Sequence, residues 1–245
     1  MITVVTGKKL FSFPVGCQDQ AHVWTVCLNH CRESMDILLP FLSDDELGRA
    51  DDFVAESARI QYVTARAILR ILLSRYLGVD PSLIFFQYNS FGKPSLTCST
   101  LVQFNISHSG TKLLVALCNK KSIGVDIECI GREMIFSSIE SLMSNRERSQ
   151  FGEFPDYERR EAFFRWWTRK EAYVKARGTG LSTSLDSFEV DLQQVSTNVL
   201  LSDRNDPLAP LFWSVYALDV EHGYVAALAI QSTKCEIKRF DFHGF

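Results

Sequence analysis

Residues 166–181 read WWTRKEAYVKARGTGL, and the spacing inside this stretch organises the rest of the chain. Trp167, Glu171 and Lys175 follow one another at four-residue steps, so a helix carries all three on one face. The helix is expected from about Asp156 to Arg177, with Gly178 as its stop, because glycine readily takes the left-handed conformation that ends a helix. A Glu four residues before a Lys is also the favoured surface ion pair, worth about 0.3–0.5 kcal/mol. The large aromatic on the same stripe argues that this face is covered. A covered Glu and Lys must find partners or shift their pKa values, which is how catalytic acids and bases are made.

Upstream, GVDIE (124–128) reads as a strand. Residues two apart on a strand point the same way, so Asp126 and Glu128 project together while Val125 and Ile127 face the core. Adjacent carboxylates repel unless a proton or a cation sits between them, and a divalent ion with oxygen ligands answers that need. An exposed strand edge with two solvated acids gives the same spacing. NISHSG (105–110) has the short hydroxyls, imidazole and glycine of a turn that offers donors to an anion, or of a turn that caps itself. FGKP (91–94) holds Lys93 between a flexible and a rigid residue.

The remaining pattern gives an outline. Ser43–Glu46 and Ser144–Glu147 are capping boxes, so helices are expected from Asp44 and just after Ser144. A long helix is expected at about 57–77, ended by Gly78. It carries Arg59, Arg66 and Arg70 on one side, as a solvated face or as an anion-binding one. Strands are expected near 21–29, 112–118, 122–127, 188–192, 212–218, 224–230 and 236–240, with 119–121 as the turn between the second and third. Helices followed by a strand pair appear twice, and the seam is placed at 119–123.

The composition fits this outline. With 245 residues, 46% hydrophobic and 22% charged, the chain can build one large or two compact cores. A net charge of -3 argues against bulk nucleic-acid binding. Seven cysteines without a CxxC pair suit reduced thiols in the cytoplasm; Cys27 and Cys31, four apart, could share a helix face. No signal peptide or membrane span is expected.

In this order, FGKP (91–94), NISHSG (105–110), GVDIE (124–128) and WTRKEAYVKARGTGL (167–181) together resemble the Sfp-type 4′-phosphopantetheinyl transferases, over roughly residues 40–230. The resemblance implies an α+β fold of two similar α/β subdomains, residues 1–120 and 121–245, related by a pseudo-twofold, with coenzyme A in the cleft between them. It implies transfer of phosphopantetheine from coenzyme A to a serine of an apo carrier protein, by a monomer using Mg²⁺, with Mn²⁺ as the alternative ion. Asp126, Glu128 and Glu171 match the family's metal-binding acids, and the second subdomain carries that site. Lys175 matches the lysine near the pyrophosphate; Glu171 and Lys175 are the expected catalytic pair. Ser107 and His108 match the turn that contacts coenzyme A phosphates, and Lys93 the lysine beside the nucleotide. Arg49 falls where the family has a basic residue for the ribose 3′-phosphate, and Arg66 belongs to an Arg-rich helix motif. Gln61 departs from the pattern, since relatives often carry arginine there. Exposed apolar residues after the helix, such as Leu181, are candidate carrier contacts.

Two rivals share these residues. A Mg²⁺-dependent phosphodiesterase would release product from coenzyme A without any acceptor. A coenzyme A- or carrier-binding protein with a dead site would have no need of Asp126, Glu128, Glu171 and Lys175 together.

Overall fold

The computed structural model describes residues 2–5, 11–13, 19–29, 35–131, 140–193 and 199–243. In chain order the elements are β1 (Ile2–Val5), β2 (Gln20–Cys27), α1 (Met35–Leu38), α2 (Asp44–Asp51), α3 (Glu56–Leu77), β3 (Phe86–Tyr88), β4 (Pro94–Leu96), β5 (Val102–Ser109), β6 (Lys112–Asn119) and β7 (Ile123–Cys129). They continue as α4 (Asn145–Gly152), α5 (Asp156–Arg177), β8 (Phe188–Val190), β9 (Leu200–Asp203), α6 (Ala209–Phe212), β10 (Ser214–Leu218), β11 (Tyr224–Ile230) and β12 (Glu236–Phe242). Both long helices stop where a glycine enters the left-handed region, at Gly78 (φ 69°) and Gly178 (φ 70°).

A five-stranded sheet has the order β1-β12-β2-β6-β5, and a three-stranded antiparallel sheet has the order β10-β11-β7. Apolar residues fill three layers. Trp24, Ile68, Leu72 and Val115 lie between α3 and the large sheet. Ala21, Leu114, Val125 and Leu228 lie between the two sheets. Phe163, Trp166, Tyr173 and Ala227 lie between the small sheet and α5. The alternation on β7 is as expected: Val125 and Ile127 enter the intersheet core, leaving Asp126 and Glu128 for the other face.

Two expectations change. Residues 105–109 belong to strand β5, paired with β6 through Ser109↔Lys112, so the turn begins only at Gly110. The polar letters of NISHSG misled because β5 is an edge strand whose polar side chains serve the neighbouring sheet. Secondly, β7 does not return along β6; it pairs with β11. The turn near Lys120 (φ 66°) sends the chain from one sheet to the other. Strand β12 lies between β1 and β2, parallel to both. Cys27 closes β2, in keeping with the strand expected near 21–29. Cys31 and the side chain of Leu181 lie outside the described residues.

Candidate active site

The site is built on α5. Between Trp166 and Ala176 every side chain is buried except Trp167, Glu171 and Lys175, which are half-buried. The predicted stripe is therefore the one open strip of the helix over these eleven residues, whereas the first turns of α5 are exposed. Its neighbour Lys170 turns the opposite way. Lys170 and Glu147 are both fully buried and pair at 2.6 Å. Lys170 also donates to the carbonyls of Leu185 (2.8 Å) and Phe188. Burial lowers the Lys170 pKa, and Glu147 opposes the shift. Adjacent letters of one motif thus divide, Lys170 fixing the helix and Glu171 facing the site.

Strand β7 comes against α5 backbone to backbone. A Cβ at Gly124 would fall 2.2 Å from the Ala172 carbonyl oxygen and 2.3 Å from the Ala176 nitrogen. Glycine at 124 and alanines at 172 and 176 bring Glu171 and Lys175 over the acids of β7. Lys175 Nζ donates to Asp126 Oδ1 at 2.6 Å and to Ser107 Oγ at 3.0 Å. Burial is the main force raising the Glu171 pKa; Lys175 counters it, while the charges of Asp126 and Glu128 add to it. The charges of Asp126 and Glu128 on β7 thus reach Glu171 on α5.

Strand β5 supplies a feature the sequence reading missed. The edges of β5 and β7 face each other without a backbone ladder, and β5 side chains take up the β7 N–H groups. Val125 N donates to Asn105 Oδ1 (2.9 Å), Ile127 N to Ser107 Oγ (3.4 Å) and Cys129 N to Ser109 Oγ (3.0 Å). Ser107 donates to Asp126 Oδ1 (2.8 Å) and Ser109 to Glu128 Oε2 (2.7 Å). Ser109 was findable: it lies two residues beyond Ser107 on what proves to be a strand, hence on the same face.

Around these residues is a cavity of about 500 Å³, lined among others by Arg49, Arg66, Lys93, His108, Glu171 and Lys175. Strand alternation divides Ser107 from His108, sending the first to the seam and the second to the cavity. His108 Nδ1 lies 3.3 Å from Gln61 Nε2, and burial, followed by the Lys175 charge, lowers its pKa. Lys93 Nζ donates to Ile123 O (3.1 Å) and Ala176 O (3.0 Å), tying the β3–β4 hairpin to β7 and α5; burial pushes it down to about 8. The three arginines of α3 separate. Arg59 is paired with Asp51 near the surface (3.1 Å). Arg66 bonds Tyr88 Oη (2.6 Å) and stands over the rings of Tyr62, Phe86 and Tyr88. Arg70 is buried and fully engaged, donating to Glu46, Ser43 and the carbonyls of Pro81 and Ile84. Arg49 also stands over the Tyr62 ring, 5.8 Å from its centre.

The donor set suits a hard cation. Asp126 Oδ2 is buried with no hydrogen-bond partner, and the charges of Asp126 and Glu128 make Glu171 harder to ionise. Among the described residues no three His, Cys, Asp or Glu side chains close a metal cage by themselves. Lys175 here supplies the countercharge to Asp126.

Comparison with known proteins identifies relatives of the chain. The family model of the 4′-phosphopantetheinyl transferase superfamily matches residues 122–229. The chain is 35% identical over 219 residues to the 4′-phosphopantetheinyl transferase HetI of Nostoc sp., covering 86% of this chain and 88% of HetI. The chain belongs to the 4′-phosphopantetheinyl transferase superfamily. A putative member from Synechocystis sp. is 31% identical over 168 residues, covering 67% of this chain and 68% of the relative. The Sfp enzyme of Bacillus subtilis is 27% identical over 198 residues, covering 80% and 85%. The superfamily match begins at Ser122, just before β7, and takes in α5, so it falls on the half that carries Asp126, Glu128, Glu171 and Lys175.

Proposed function

We propose that this chain is an enzyme that transfers the 4′-phosphopantetheine group of coenzyme A to a serine of an apo acyl, peptidyl or aryl carrier protein, releasing 3′,5′-ADP. The observation that carries the reading is the meeting of Glu171 and Lys175 of α5 with Asp126 and Glu128 of β7 beside a cavity edged by Arg49, Arg66, Lys93 and His108. Cations lining the cavity suit the phosphates of coenzyme A, and Glu171 in its lining, with Asp126 and Glu128 beside it, suits a divalent ion.

Asp126, Glu128 and Glu171 would hold that ion, Mg²⁺ by preference and Mn²⁺ as the alternative. Bound there, it offsets negative charge on the pyrophosphate during transfer. The carrier serine oxygen attacks the β-phosphorus, and the bond from that phosphorus to the bridging oxygen breaks, leaving 3′,5′-ADP. Glu171, whose proton affinity is raised by burial, takes the serine proton directly or through a water. Lys175 stabilises the charge that develops on the leaving phosphate. Arg49 and Arg66 bind nucleotide phosphate, Arg66 already held in place by Tyr88 and flanking rings. His108 meets the same ligand from β5. Ser107 and Lys93 act beside it, their polar atoms bonded to Asp126 and to the ends of β7 and α5.

The reading includes two subdomains, 1–120 and 121–245, related by a pseudo-twofold, with coenzyme A in the cleft between them and the whole acting as a cytoplasmic monomer. Supporting it are two 22-residue helices, each preceded by an eight-residue helix with an S-x-x-E start. Cys98, Cys118, Cys129 and Cys235 carry free thiols, and no described helix is long and apolar enough to cross a membrane.

Mass spectrometry of an apo carrier mixed with coenzyme A, Mg²⁺ and this protein should show a gain of about 340 Da, the transferred group. Glu171→Ala should fold normally and lose about 10²–10⁴-fold in rate. Wild-type turnover by folded Glu171→Ala removes Glu171 from the chemistry, and 3′,5′-ADP release without a carrier indicates phosphodiester hydrolysis instead.

A further inference from the structure

We propose that Ser109 is a positioning residue for the metal site: its hydroxyl fixes the Glu128 carboxylate beside Asp126 so that both acids face one cation. The inference rests on the assignment of Asp126 and Glu128 as metal ligands above.

The argument is geometric. Asn105, Ser107 and Ser109 accept N–H groups from Val125, Ile127 and Cys129, each exactly one alternate step further along both strands, at a constant offset of twenty residues. The two strands are therefore locked in register by side chains. A hydroxyl has one proton to give. Ser107 gives its proton to Asp126 and Ser109 gives its proton to Glu128, each at an offset of nineteen. Two serines two apart on one strand thus hold two acids two apart on the next. Ser107 also receives Lys175, so its removal would disturb the catalytic lysine as well. Ser109 is buried and its hydroxyl bonds only to Cys129 N and Glu128 in this seam, so it isolates the effect on the acid. Asn105 is the internal control, because it makes the same kind of bond across the seam with its Oδ1 and holds no carboxylate there. Fixing a ligating carboxylate by a hydrogen bond outside the coordination sphere commonly changes metal affinity by about 10–100-fold.

The test is Mn²⁺ binding to the full chain with coenzyme A present, read from the loss of the free-ion EPR signal, together with thermal melting. Ser109→Ala should weaken Mn²⁺ binding by about 10–100-fold. Ser109→Thr, which keeps the hydroxyl on a residue suited to a strand, should restore most of it. Asn105→Ala should lower the melting temperature and leave Mn²⁺ affinity unchanged. Should Ser109→Ala fail to fold, Ser109→Cys, of similar shape with a weak donor, carries the same comparison. Equal affinity in wild type and the Ser109 variant, or an equal loss in Asn105→Ala, overturns the inference. A wild-type chain that transfers phosphopantetheine yet takes up no Mn²⁺ or Mg²⁺ overturns instead the metal assignment beneath it.

Discussion

Tyr76 and Ala176 occupy the same place in two helices of equal length. Each is the second residue from the end, before a left-handed glycine. The surroundings run parallel further back. Glu46 and Glu147 are each the third residue of the preceding eight-residue helix. Glu46 pairs with buried Arg70 and Glu147 with buried Lys170, both at 2.6 Å. Both cations then take two carbonyls from the turn that follows their helix. The difference lies in the face toward the sheet. On α3 the face carries Leu72 and Tyr76, and the Tyr76 hydroxyl meets Trp24 (2.9 Å) and His22 (2.7 Å). On α5 the corresponding residues are Ala172 and Ala176, pressed on Gly124. Bulk keeps the first helix at side-chain distance, whereas small residues let the second bring Glu171 and Lys175 onto the strand acids. One helix is a support and the other a working surface because of the size of three residues.

The largest expected effect breaks the parallel part. Arg70→Ala and Lys170→Ala each remove the nearest cation from a buried glutamate, Glu46 keeping a longer contact with Arg66 at 3.5 Å, and should each cost about 3–5 kcal/mol in urea unfolding. A small loss for one alone would show that the two pins are not equivalent. Gly124→Ala attacks the unequal part. A Cβ there meets backbone, so α5 must move, at a cost of at least about 1–3 kcal/mol. Transfer activity should fall far more than in a surface variant of equal stability, as paired melting and turnover measurements will show.

Acid sharpens the contrast on the α3 side. His22 is buried against Tyr76, and desolvation lowers its pKa from 6.5 to about 4, with Lys238 assisting. The folded state therefore binds this proton less tightly than the unfolded chain does. The stability it contributes is present above pH 6.5 and is lost as pH falls toward 4. His22→Gln should flatten that part of the melting-temperature profile; an unchanged slope there would assign acid sensitivity elsewhere. The smallest effect is expected from Arg59→Ala, which removes a near-surface pair with Asp51 and should cost less than about 1 kcal/mol.

Local signals in the sequence carried much of this. The bounds of α5 and its stop at Gly178 were readable because periodicity and glycine conformation are local properties. So was the common face of Asp126 and Glu128. Partner choice was not readable. Nothing in residues 112–127 says that β7 leaves β6 for β11, since both strands are equally apolar. The glycine of GVDIE looked incidental until α5 was seen against it. Arg70 and Arg66 share a helical face and both reach Glu46, at 2.6 and 3.5 Å; they differ in what else folds over them, two carbonyls for Arg70 and a tyrosine hydroxyl beside the cavity for Arg66. The serines of β5 were read as a turn because short polar residues mark both turns and polar seams.

The placement of β12 bears on how the molecule comes into being. This strand, residues 236–242, is inserted between β1 and β2, and among the described residues no other strand joins them. During synthesis the large sheet cannot close until residue 242 has left the ribosome, so most of the polypeptide waits with β2 unpaired along one edge. Such long-range closure is slow and exposes an adhesive strand meanwhile. Truncation before β12 would then harm yield of native protein more than its distance from Glu171 suggests.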